Sequence, residues 1–305
     1  MTAAVETTRE NLGKVRRGGR DARRELRSDR TTHMLPALKR NIPLVEPMSR
    51  EQVEKIDNAS MEILEEVGVI FRDPIALEDW KQAGAKVDGE RVYLDRALVR
   101  ELISTIPSSF TYHARNPANN LPFGNDHSIF VPMTGAPYLR DLDDVRRGPT
   151  LDDLANFHKL AHVCPALHSS AHHIVEPMDK WVSHRHLHIT YSSMKYSDKT
   201  LMGMTTSPKN AEDVLDMCAI LFGEEFMETH AVVTGNCNGN SPLVWDETML
   251  GAMRAFCRRN QPILCSPFVL GGANTPASTA PAVAQLNAEA LSALAYTQVV
   301  RKGCP

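Results

Sequence analysis

A short strand, a pair of glycines and a long alanine-rich helix constrain this chain more than any other stretch. Ile263 to Leu270 is an apolar run behind the turn Asn260-Gln261-Pro262, Gly271-Gly272 breaks it, and Ala280 to Val299 reads as a long helix rich in alanine. Strand, glycine loop and helix make the repeating unit of parallel α/β folds, which place their chemistry in the loops at the strand C-terminal ends. Gly303-Cys304-Pro305 reads as a helix stop with proline behind it.

The same unit recurs upstream. Ser128 to Met133, Leu167 to Val175, Lys199 to Met204 and His230 to Asn236 read as strands. Helices follow them, from Thr150 to about His162, Trp181 to Ser192, Pro208 to Phe222 and Asp246 to Arg259. Five such units predict an α/β fold, a TIM (β/α)8-type barrel that is incomplete in this chain. A doubly wound sheet is disfavoured, because no Gly-x-Gly-x-x-Gly turn follows the first strand. Since five units do not close a barrel of eight, the expectation is the N-terminal part of a longer protein.

Residues 126–305 are thus expected to form the partial barrel, and residues 42–125 a small α+β leader domain. In the leader, Ser49 and Gln52 resemble a capping box, and Val53, Ile56, Ile63, Leu64 and Val67 recur at helical spacing up to Gly68. Pro74 to Ala83 reads as a second helix, the Asp88-Gly89 pair as a hairpin turn and Asp95 to Ile106 as a third helix. Residues 1–41 are polar and basic, with Arg16-Arg17-Gly18-Gly19-Arg20 and Arg23-Arg24. They lack the interleaved aromatics of a nucleic-acid grip and read as a solvated, disordered arm.

Composition decides between broad classes. A net charge of -3 gives no global pull toward nucleic acid or a membrane surface. No apolar run approaches the roughly 20 residues of a membrane span, and the N-terminus lacks the hydrophobic segment of a secretion signal. The six cysteines form no Cys-x-x-Cys pair, so reduced thiols in a cytoplasmic protein are expected.

The candidate site is the set of residues just past each strand. Tyr138, His173, Glu176, Thr205, Asn236, Asn238, Gly271 and Gly272 are the substrate-binding candidates. With no lysine or arginine among them, they suit a small polar or cationic ligand better than a phosphate, although glycine and asparagine after strands are also ordinary turn formers. His158/His162 and His184/His188 have the helical spacing of metal ligands but fall on outer helices without a Glu partner, so no metal is expected. Cys237 sits in a strand-end loop, yet the sequence shows no base beside it.

Several motifs resemble one family. They are Ile63-Leu64-Glu65-Glu66-Val67-Gly68-Val69, Gly84-Ala85-x-Val87-Asp88-Gly89, Ala114-Arg115-Asn116-Pro117 and Arg146-Arg147-Gly148-Pro149-Thr150-x-x-Asp153. Gly272-Ala273-x-Thr275-Pro276, Asn287-Ala288-Glu289 and Gln298-Val299-Val300-Arg301-x-Gly303-x-Pro305 complete the series. In order and spacing they resemble the trimethylamine methyltransferase family of corrinoid-dependent enzymes.

The resemblance implies a TIM barrel that moves a methyl group from trimethylamine, or from a quaternary amine such as glycine betaine, to the cobalt of a separate corrinoid protein. No cofactor is then bound directly, because the partner supplies the corrinoid (cobalamin). Some members carry pyrrolysine in the C-terminal part, which this chain does not contain, so the subgroup is left open. Tyr138 and Glu176 would meet the cation through a ring face and a carboxylate. Two other readings stand beside this one. The first is an inactive fragment or small-cation binding module lacking the C-terminal barrel half. The second is a metal-dependent hydrolase resting on the histidine pairs. Open strand edges also leave room for a homo-oligomer.

Overall fold

The structure is a computed structural model that describes residues 34–305; of the arm expected over residues 1–41, residues 1–33 lie outside the described residues. Helix α1 (Arg50–Glu62) starts at a capping box in which Gln52 N–H donates to Ser49 Oγ and Ser49 N–H donates to Gln52 Oε1. A wider helical turn, Ile63–Val67, extends it to Gly68 at φ 72°. Glycine is required there, because an added Cβ would lie 2.7 Å from the Val92 carbonyl oxygen.

Strand β1 (Val69–Arg72), helix α2 (Pro74–Gln82), strands β2 (Lys86–Asp88) and β3 (Arg91–Tyr93), and helix α3 (Arg96–Ile103) follow. The hairpin β2–β3 turns at Gly89, as the Asp-Gly pair predicted. Strands β4 (Ser109–Tyr112) and β5 (Leu121–Gly124) form a second antiparallel pair.

The remainder alternates between strand segments and helices. The helices are α4 (Leu151–Val163), α5 (Val182–Tyr196), α6 (Pro208–Phe222), the short α7 (Glu224–Thr229), α8 (Glu247–Arg258) and α9 (Thr279–Val300). Between them run β6 (Leu201–Met202), β7 (Val233–Gly239), β8 (Val244–Asp246) and β9 (Ile263–Pro267). β6, β7 and β9 form one parallel sheet in that order. Ser169 bridges Thr200 in parallel, and Ala136 bridges Val175. Five parallel segments thus lie side by side in chain order, each followed by a helix.

The first two segments are not the regular strands expected over Ser128 to Met133 and Leu167 to Val175. His127 and Ser128 instead pair antiparallel with Lys39 and Leu38. Phe130 N–H donates to the His168 ring Nδ1, while the Phe130 carbonyl accepts from His168 N–H, so a side chain takes one place in the ladder. Ala171, at φ 54°, then breaks the second segment. The array is mixed α/β and open, and no closed barrel forms among the described residues.

The leader and the array share a sheet and a core. β8 pairs in parallel with β1, giving the order β8-β1-β3-β2. Phe71, Trp80 and Tyr296 of α9 pack with ring centroids 5.5–5.9 Å apart. Beside them Arg254 donates to Asp73, which also caps α2, and to the Tyr296 hydroxyl at 3.0 Å. A buried guanidinium is tolerable only with such partners.

One end of the array is closed. Tyr112 of β4 bridges Ala231 and is buried, and its hydroxyl donates to the Leu201 carbonyl and accepts from Thr234 N–H at 3.1 Å. Gln261 fills the neighbouring gap, accepting from Val232 N–H and donating to the Met227, His230 and Arg259 carbonyls. Both plugs lie where the strands begin, which leaves the C-terminal ends for a ligand.

Candidate functional site

On β7 alternation sends Cys237 toward α8 and Asn236 and Asn238 to the opposite face. β9 pairs in register, with Leu264 opposite Asn236 and Ser266 opposite Asn238. Thr205, just past β6, donates its hydroxyl to the Asn236 carbonyl. Ser266 Oγ donates to Asn236 Oδ1 at 2.8 Å, and Asn236 Nδ2 lies 3.4 Å from Asn238 Oδ1. Three adjacent strand ends therefore present one linked group of hydroxyls and amides. Thr205, Asn236 and Asn238 were legible as candidates, whereas Ser266 was missed. Its signal was the register opposite Asn238.

His173 sits at the second strand end, its Nδ1 3.2 Å from Nδ1 of His172. Burial lowers the pKa of both, and that of His172 falls well below the usual imidazole value. His172 Nε2 faces the Met204 sulfur, and His158 Nε2 meets the His172 carbonyl at 2.8 Å. These are neutral imidazoles packed against thioether and backbone.

Tyr138 and Glu176 lie on adjacent segments, just past the Ala136–Val175 bridge. Each already has a cation. The Arg146 guanidinium stands 4.1 Å from the Tyr138 ring centroid, brought there by the hairpin that pairs Leu139–Arg140 with Arg146–Arg147. Arg185 of α5 donates to Glu176 Oε1 at 2.8 Å. Gly271 and Gly272 lie in a tight exposed turn in which Gly272, at φ 79°, donates to the Thr275 carbonyl.

The competing chemistries find little support in the geometry. His158 bonds Ser192 and the His172 carbonyl, His162 lies 3.4 Å from Asp198, and His184 and His188 are exposed on α5. Among the described residues no group of three or more His, Cys, Asp or Glu side chains is placed to hold a metal ion. Cys237 is fully buried, and burial pushes its thiol up to about 12, so it is not a nucleophile. All six cysteines are free thiols. A groove of about 530 Å³ runs between α1 and the start of α9, lined by Ile56, Ala59, Ile63, Leu243, Pro281 and Ala284; none of the candidate residues lines it.

Residues 16–305 match the family described as trimethylamine methyltransferase (MTTB). The chain belongs to that family. It is 39% identical over 265 residues to a glycine betaine methyltransferase of Desulfitobacterium hafniense, covering 87% of this chain and 55% of the relative. It is 27% identical to a proline betaine:corrinoid methyltransferase of Eubacterium limosum, covering 85% and 55%. To a trimethylamine methyltransferase of Desulfitobacterium hafniense the identity is 24%, covering 84% and 52%. The chain thus spans about half the length of the curated relatives it matches.

Many residues that carry the family likeness hold the frame. Arg147 makes a two-pronged bond to Asp153, which with Thr150 forms the capping box of α4. Glu289 accepts from Ser241 Oγ and Leu243 N–H, and Asn287 donates to Ser60. Gln298 ties Gly303 N–H and the Cys304 carbonyl to the end of α9. No helix among the described residues is long and apolar enough to cross a membrane.

Proposed function

We propose that the protein takes a methyl group from a quaternary amine that also carries a carboxylate, glycine betaine first, and passes it to the corrinoid of a separate partner protein. The observation that carries this reading is the linked polar group Thr205, Asn236, Asn238 and Ser266 at the open strand ends. It combines neutral donors with no lysine or arginine among residues 203–206, 234–240 and 264–274. Such a surface suits a zwitterion, whose carboxylate needs donors but whose net charge is zero. The 39% identity to a glycine betaine methyltransferase supports the same choice.

The partner's reduced cobalt supplies the nucleophile. The work left to this chain is to hold the amine in line for transfer and keep water from it. His173, Thr205, Asn236 and Asn238 line the site in this reading, with the Gly271-Gly272 turn above it. Tyr138 and Glu176 add a ring face and a carboxylate for the ammonium, which must displace Arg146 and Arg185 to reach them.

In the same reading the five strand–helix units of residues 126–305 belong to a TIM (β/α)8 barrel in a cytoplasmic enzyme, with the leader of residues 42–125 closing its N-terminal mouth through Tyr112. The protein, supplied with glycine betaine and reduced corrinoid protein, is expected to form dimethylglycine in step with methyl transfer, read by NMR. Turnover of trimethylamine with none of glycine betaine would reject the substrate assignment.

A further inference from the structure

The Asn236 side chain is oriented by its neighbours. Its Oδ1 accepts from Ser266 Oγ at 2.8 Å, and its backbone carbonyl accepts from Thr205. The amide oxygen is therefore engaged on the β9 side, and the two N–H donors of Nδ2 turn the other way. One meets Asn238 Oδ1 in a long contact of 3.4 Å, and no acceptor among the described residues takes the other. Asn238, the next residue on that face, is exposed, and its amide donors meet no acceptor among the described residues.

We infer that Ser266 is a positioning residue that holds the Asn236 amide with its donors outward, so that Asn236 and Asn238 together read the carboxylate of the substrate. This rests on the substrate class proposed above and adds the part of that substrate the site selects. Free rotation of the amide would present its oxygen to the carboxylate about as readily as its nitrogen, and two acceptors facing each other repel. In the structure the Ser266 hydroxyl donates to the oxygen and holds it on the β9 side, so the nitrogen is the group left facing outward. Amides that carry no charge give a modest attraction to a lone anion. They favour a carboxylate brought in by an ammonium on the same molecule. An amine without a carboxylate gains nothing from them.

The test compares glycine betaine with tetramethylammonium, which has the same cationic head and no carboxylate, by titration calorimetry. Wild-type protein is expected to bind glycine betaine more tightly. Ser266→Ala is expected to weaken glycine betaine by about 2- to 12-fold, the range for one lost neutral hydrogen bond, and to leave tetramethylammonium unchanged. Ser266→Thr, which keeps the hydroxyl, should restore the preference, a rescue that a packing role would not produce. Equal losses for both ligands, or no loss for either, would overturn the inference while the proposed function stands. Wild type that binds tetramethylammonium as tightly as glycine betaine would also overturn it. Binding of neither ligand would defeat the functional reading and this inference with it.

Discussion

His158 makes the stability of this fold depend on pH in a calculable way. The ring is fully buried between α4 and α5, with Nδ1 2.9 Å from Ser192 Oγ and Nε2 2.8 Å from the His172 carbonyl. Burial lowers its pKa from 6.5 to about 4. The folded state therefore resists a proton that the unfolded chain accepts, and stability present at neutral pH is lost as the pH falls from about 6.5 toward 4. Linkage with these two values gives a loss of about 2 kcal/mol at pH ~5 and about 3 kcal/mol once both states are protonated.

His172, also lowered by burial, titrates in the same direction, so the wild-type loss should exceed that of His158 alone. His158→Gln keeps a neutral donor and acceptor and removes the titration. Denaturant unfolding at pH about 7.5 and about 5 should show a pH-dependent loss smaller in the variant by about 2 kcal/mol. If wild type and variant lose the same stability, His158 does not titrate against folding and the reasoning fails.

Two further outcomes follow from named contacts. Arg254→Ala should destabilise the fold by about 3–5 kcal/mol in denaturant melts, because it leaves Asp73 buried without its cation; a loss below about 1 kcal/mol would show that the pair is not a strut. Tyr138→Ala should weaken amine binding by about 2- to 30-fold while Tyr138→Phe is nearly silent, since the proposed contact is with the ring face. Arg146→Gln, which clears that face, should tighten binding; equal losses for the Phe and Ala variants would instead assign the contact to the hydroxyl.

What the sequence showed and what it hid divide along range. Start signals are local, so helix starts were legible: Ser49, Thr150, Pro208 and Asp246 each sit at the beginning of a helix in the structure. The irregular segments near Phe130 and Ala171 were hidden. A ring nitrogen taking a ladder position and a positive φ at alanine leave no trace in hydrophobic periodicity. Tyr112 closing the array from 122 residues before Thr234 was hidden for the same reason. At the site, strand-end residue types pointed to Thr205, Asn236 and Asn238. The guanidinium partners of Tyr138 and Glu176 came into view only through the packing of a hairpin and of α5.

The measurement that bears most directly on the central claim is a crystal structure of the protein with glycine betaine bound. The account predicts its carboxylate within hydrogen-bond distance of the amide nitrogens of Asn236 and Asn238, at the strand ends opposite the Tyr112 plug. Glycine betaine seated instead in the groove between α1 and α9, with those amides untouched, would contradict it.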